Sequence, residues 1–399
     1  MRAGKRRTVA VVGGAGAMGR AVVYDLARQG LAVRLIETDA ERARAVARRY
    51  GRGRAAVVPI GGAGVGELAR AAEGASVLVN CGPYGLNLAA MRAALEAGCH
   101  YVDLGGLFHT TRRQLALDAE FRRARLLAVL GMGSAPGTTN LLAAAAARGL
   151  TRVEAVRVYN GGADFTPGRP ALSFGFSPAT LLDELSQRPM VFTRGRFRSA
   201  PPLSGAEDFR FDLGLQRVHF SLHSEVATLP LSLADKGVRE CTFKIAYEPA
   251  LVERLRWLIE LGLADPRPGP RGIAPRDVLL DALRRLPPGP EEVDDRDALA
   301  VVVTGRDRRG PIAVRYELTA GPQRRPPLSA VARNTGFPPA IVAHLLLDGA
   351  IRARGVHPPE TCVPVRLFLR SLADRGLIAR RSVTRSSSQG ERLARSEAP

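Results

Sequence analysis

The chain has 399 residues, 46% hydrophobic and 24% charged, a globular composition long enough for two or three domains. No uninterrupted apolar run reaches the ~18 residues that a membrane span needs. A net charge of +20 raises nucleic-acid binding, but lysine occurs only at Lys5, Lys236 and Lys244. The arginines are spread along predicted helix faces, as at Arg42, Arg44, Arg48 and Arg49. No aromatic residues alternate with them as a base-stacking platform would, so the charge reads as a solvated, arginine-rich surface and nucleic acid is not expected as a partner. Four scattered cysteines (Cys81, Cys99, Cys241, Cys362) without a C-x-x-C pair suggest a reduced, cytoplasmic protein. The basic opening at residues 1–7 imitates a secretion leader, but a glycine fingerprint stands where cleavage would fall, so that reading is set aside.

Residues 9–12 (Val9-Ala10-Val11-Val12) are small β-formers, as in a strand buried on both faces. They break into Gly14-x-Gly16-Ala17-Met18-Gly19 and then a helical apolar stripe at Ala21, Val22, Leu26 and Ala27. Glycines at this spacing allow a tight turn, close approach of a pyrophosphate and helix-on-strand packing, and the helix N-terminus offers free N–H groups to phosphate. A second strand, residues 32–36, ends on Glu37, 23 positions after Gly14, where a carboxylate would take the adenosine ribose hydroxyls.

Further strands are predicted at residues 55–59, 76–80, 100–104 and 126–130, with helices at 65–72, 88–97 and 113–123. This alternation predicts a doubly wound parallel sheet, with ligands beyond the carboxyl ends of its strands. Three segments stand there. Asn80-Cys81-Gly82-Pro83-Tyr84 follows the fourth strand, either beside a nicotinamide ribose or as a plain Gly-Pro turn. Asp103, before Gly105-Gly106, is either a turn residue bonded to its own backbone or a carboxylate facing a substrate amine. Residues 133–140, containing Pro136 and Asn140, run into a helix N-terminus, a ready anion or amide site.

From about residue 151 the pattern becomes α+β. Strands are expected at 153–159, 218–220, 238–247, 298–303 and 312–318, and a helix capped by Ser177 with Pro178 at its first position. More helices are expected at 253–261, 275–286, 329–347 and 365–375. A Pro287-Pro288 loop leads into a solvated acidic run. The predicted organisation is a dinucleotide-binding domain at 1–130, an α+β domain at 131–328, a helical segment at 329–378 and a disordered tail at 379–399. His223-Ser224-Glu225-x-x-Thr228 is the one dense polar cluster of the second domain, either structural or functional. There is no G-x-S-x-G elbow for a hydrolase and no third ligand beside His219 and His223 for a metal.

Taken together, residues 8–377 resemble the saccharopine dehydrogenase family in its glutamate-forming and lysine 6-dehydrogenase branch. The resemblance rests on an N-x-x-P-[YF] turn at 80–84, V-D-L-G-G at 102–106 and G-x-x-P-G-x-x-N at 133–140. Further matches are P-R-D-V-L at 275–279, an A-R-x-T-G-F-P-x-A segment at 332–340 and G-V-x-P-P-E at 355–360. It implies a Rossmann domain, an inserted substrate and homodimer domain, and a C-terminal helical piece returning to the first domain. It also implies hydride transfer between NAD(P) and the amine-bearing carbon of an amino acid, through an imine.

On this resemblance Gly14, Gly16, Ala17, Met18, Gly19, Glu37, Asn80, Cys81, Gly82, Pro83, Gly105 and Pro136 would contact the cofactor. Gly106, Asn140, Ser224, Thr228 and Arg333 would contact the substrate, with Arg333 as a bidentate carboxylate fork. Asp103 would hold the amine or the catalytic water, Tyr84 would be its hydroxyl partner, and His223 with Glu225 a second proton-handling pair. Thr38 and Asp39 follow Glu37 with no adjacent arginine for a 2′-phosphate, which favours NAD over NADP, although Arg34 or Arg42 could swing in. His223-Ser224-Glu225-Val226 departs from the small Thr/Ser/Gly stretch of lysine 6-dehydrogenases. Lysine 6-dehydrogenase-like or carboxynorspermidine dehydrogenase-like activity, and a redox-silent dinucleotide-binding scaffold, are the alternatives.

Overall fold

The computed structural model describes residues 7–170, 172, 174–270, 272–286 and 289–385. The leader-like opening at 1–6, Pro287-Pro288 and the tail from 386 lie outside the described residues.

Strands β1 (Thr8–Val12), β2 (Ala32–Glu37), β3 (Ala55–Pro59), β4 (Val77–Asn80), β5 (His100–Asp103) and β6 (Leu127–Val129) form a parallel sheet in the order 6-5-4-1-2-3. Alternating residues of β1 enter different cores. Val9 and Val11 pack with helix α1 (Gly19–Arg28) and Phe337, while Ala10 and Val12 pack with Leu68, Met91 and Phe121. That two-sided burial is why residues 9–12 of β1 are all apolar. The predicted helix at 113–123 is two helices, Leu107–Leu115 and Asp118–Arg123.

A seventh strand, Gly355–His357, adds parallel to β6 from the C-terminal segment. The same segment supplies helix Ala330–Leu347, which lies against α1 so closely that a Cβ on Gly336 would meet the Ala21 Cβ at 2.6 Å. Arg375 closes this return with a buried ion pair to Asp25, Nε to Oδ2 at 2.8 Å.

The second domain is a nine-stranded mixed sheet. Its long central strands, Arg152–Asp164 and Asp295–Asp307, pair antiparallel, and Glu240–Ala246 pairs parallel to the first. Helices Thr138–Ala147 and Glu225–Ser232 cover one face through Leu142, Val226, Leu229, Val156 and Val158. A smaller cluster joins helices Pro178–Ser186, Pro249–Glu260 and Pro275–Arg284 around Leu182, Leu255 and Leu280. Short strands at Met190–Thr193, Arg196–Ser199 and Glu207–Phe211 lie where the sequence predicts no strand. The expected disordered tail is corrected at its start. Arg380–Arg385 adds as an exposed edge strand, antiparallel to Gly310–Ala320, where backbone pairing overrides its polar composition.

Candidate active site

The turn after β1 is built for a phosphate. Gly13 has φ +69°, and a Cβ there would sit 2.8 Å from the Gly82 nitrogen. A Cβ on Gly19 would sit 2.2 Å from the Gly13 carbonyl oxygen. Neither position admits a side chain without moving backbone, so the turn stays open beside the first turn of α1. Glu37 closes the far side: its carboxylate accepts the Ala15 N–H at 3.2 Å and the Thr38 N–H at 3.1 Å. Arg34 is turned away, its guanidinium donating to the carbonyls of Ala71 (2.9 Å) and Glu73 (2.5 Å). The cradle and its ribose-facing acid fit a dinucleotide.

A cavity of about 440 Å³ opens from this turn, beyond the carboxyl ends of β1 and β4. This is the topological switch point of the sheet. Gly16, Ala17, Met18, Cys81, Gly82, Pro83, Gly105, Gly106 and Pro136 line it from the first domain and the connecting loops. Asn160, Glu184, His223, Ser224 and Asp297 line it from the second. Burial pushes the Cys81 thiol well up, so it stays neutral. Asn80 lies beneath the surface, accepting the Gly82 N–H at 3.0 Å and so holding the turn.

His223 and its neighbours are the chemically loaded part of the wall. Its ring stacks on Phe243 with centroids 3.8 Å apart. Nδ1 bonds the carboxylate of Glu225, whose other oxygen accepts the Thr139 hydroxyl at 2.8 Å. Nε2 stands 4.0 Å from Glu184, which accepts the Tyr247 hydroxyl at 2.6 Å. Burial works to lower the His223 pKa, but the charge and hydrogen bond of Glu225, with the charge of Glu184, hold it above its ordinary value. Burial raises Glu184. The result is an oriented base at the cavity wall with its second nitrogen fixed from behind.

The structure places the other predicted residues differently. Asp103 is fully buried and does not line the cavity. One oxygen accepts the N–H groups of Gly105 (3.0 Å) and Gly131 (2.6 Å), and the other the Gln114 amide at 2.5 Å. It is the turn residue of the two readings, because its carboxylate ties the Gly105 and Gly131 loops to the Gln114 helix. Asn140 is corrected likewise: its side chain accepts the Gly137 N–H at 3.0 Å and donates to Thr228 (3.2 Å) and Glu360 (2.9 Å). Thr228 belongs to that structural knot, which fastens the C-terminal segment to the second domain.

Arg333 is not a carboxylate fork. Its guanidinium donates to the carbonyls of Gly321 (2.6 Å) and Arg375 (3.0 Å), away from the cavity. Tyr84 does line the cavity, but its hydroxyl donates to Asp183 at 2.7 Å; burial and that carboxylate push it up to about 12. Ser224 lines the wall and accepts the Gly106 N–H at 3.3 Å. The sequence reading missed Glu184, Asn160 and Asp297. A buried acid inside the Leu181, Leu182, Leu185 stripe was the available signal for the first.

Fold and cradle together define a two-domain dinucleotide-binding protein. Residues 9–129 match the family model described as the saccharopine dehydrogenase NADP binding domain, and residues 133–377 the saccharopine dehydrogenase C-terminal domain. The chain belongs to the saccharopine dehydrogenase family. It superposes on apo saccharopine dehydrogenase (L-glutamate-forming) from Saccharomyces cerevisiae with a TM-score of 0.73 and 16% identity, covering 95% of this chain and 100% of that one. A putative myo-inositol dehydrogenase from Sinorhizobium meliloti matches at 0.41 and 12%, over 94% and 98% of the two chains.

Proposed function

We propose that this protein is an NAD-dependent oxidoreductase that interconverts an amine and an imine at one carbon, with His223 handling the proton. The bound dinucleotide supplies the acceptor, or in reverse the donor, of the hydride. Only a neutral amine has the lone pair that expels hydride, so a base must first take a proton from the ammonium form. His223 Nε2 is the group at the cavity wall with a lone pair for it, while Glu225 keeps Nδ1 protonated. Once that proton has passed to solvent, the same nitrogen takes the proton of the water that adds to the imine carbon. Per turnover of a primary ammonium substrate, one water is consumed and a carbonyl, an ammonium ion and one proton are released with the reduced cofactor. The observation that carries the reading is His223 on the cavity wall with Glu225 behind it. Glu37 at the cradle, with Arg34 engaged elsewhere, supports NAD over NADP.

The test uses the full chain and the absorbance of reduced nicotinamide, with NAD and NADP supplied separately against a panel of amines. Amine-dependent reduction favouring NAD is expected, and His223→Asn should lower kcat by about 10²- to 10⁴-fold without loss of dinucleotide binding. Dinucleotide binding without turnover of any amine would replace this reading with the redox-silent one.

A further inference from the structure

We infer that the substrate is a carboxylate-free di- or polyamine, whose second ammonium is held by Asp297; this rests on the amine-oxidising reading above. Asp297 lies on strand Asp295–Asp307 and lines the cavity, with only 5% of its surface exposed. Its oxygens accept the side-chain amides of Asn160 at 2.9 Å and Asn334 at 2.7 Å. Both donors are neutral, and among the described residues no cation is paired with this carboxylate. Burial raises the pKa of this carboxyl group, and a cation arriving in the cavity favours its charged form.

Apart from His223, the charged groups on the remaining wall are acidic. Glu184 is the second acid, and no arginine or lysine is among the described residues lining the cavity. The nearby cations are committed elsewhere: Arg276 to Asp183 at 2.8 Å, Lys244 to Glu207 at 3.0 Å, and Arg333 to backbone carbonyls. A substrate with several carboxylates would therefore meet two buried acids and no arginine or lysine on that wall. A chain with an amine near His223 and an ammonium on Asp297 brings charge the wall lacks. Phe176, Ile245 and Val331 supply apolar surface for its methylenes.

The experiment compares 1,4-diaminobutane and spermidine with n-butylamine, L-lysine and saccharopine. It reads kcat/KM for NAD reduction, and calorimetric binding of each compound to the wild-type protein saturated with NADH. Diamines should exceed butylamine, lysine and saccharopine by about tenfold or more in both readouts, as for loss of one charge-assisted contact. Asp297→Asn should narrow the diamine-to-butylamine ratio by a similar factor; the wild-type series stands without it if that variant fails to fold. Faster turnover of saccharopine or lysine than of any diamine would overturn the inference and leave the amine-oxidising reading standing. Selective diamine binding without turnover would uphold the ammonium site at Asp297 and sink the activity. A butylamine affinity equal to that of the diamines would also overturn it.

Discussion

Glu225→Gln isolates the pair behind the cavity wall. Glu225 is fully buried and serves two groups at once, the Thr139 hydroxyl at 2.8 Å and Nδ1 of His223. An amide keeps the volume and one acceptor oxygen but removes the charge that favours the imidazolium. A hydrogen bond to a charged group is worth about 1.5–3 kcal/mol, and each ~1.4 kcal/mol in a barrier is tenfold in rate. The expected loss in limiting kcat/KM is therefore about 10- to 100-fold. The pH profile should move as well. In the wild type the base is free only above a His223 pKa that lies above 6.5. The rising limb in the amine-oxidising direction should shift to lower pH in the variant, where burial still lowers the histidine and the Glu225 charge no longer opposes it.

Stability carries an independent signature with its own sign. A histidine whose pKa is raised by folding contributes stability that is fully present below its unfolded value and lost as pH rises through the folded value. The variant's deficit in Tm should thus be largest at mildly acidic pH and shrink toward alkaline pH. The assay is initial-rate kinetics across pH, paired with thermal melts in the same buffers. A variant with the wild-type pH limb and a Tm deficit that does not change with pH would refute the coupling of these two residues.

Two other substitutions separate structure from chemistry. Asp103→Asn keeps an oxygen for Gly105 and Gly131 but sets an NH2 against the Gln114 amide, so it should cost about 1–3 kcal/mol of stability with kcat largely retained. A loss of kcat beyond 100-fold at unchanged Tm would return this aspartate to the reaction. Gly19→Ala drives a methyl into the Gly13 carbonyl, 2.2 Å from where its Cβ must stand. Overpacking of about 1–3 kcal/mol should appear as a roughly 5- to 150-fold weaker dinucleotide Kd by fluorescence titration, and an unchanged Kd would mean that the cradle does not hold the phosphates.

Local chemistry and periodicity were enough to determine the first domain. The glycine turn, the acid closing β2 and the strand–helix alternation are each specified within a few residues, and β3 occupies residues 55–59 as the pattern predicts. Nearest-neighbour grammar also placed the Ser177 cap, whose side chain accepts the Thr180 N–H at 3.4 Å. The cavity lining was most legible where small residues directly follow a strand, as at residues 81–83. What a polar side chain does once buried depends on partners distant in sequence. Asp103 and His223 look alike as candidates in the sequence, each a titratable group beside small residues. Tertiary packing turned the first inward onto Gly105, Gly131 and Gln114 and left the second on the cavity wall, backed by Glu225. Asp297 and Glu184 were hidden for the converse reason. The leucine stripe around Glu184 marks it as buried but not as a cavity residue, and the charge balance of that cavity is a property of the fold, not of any one segment.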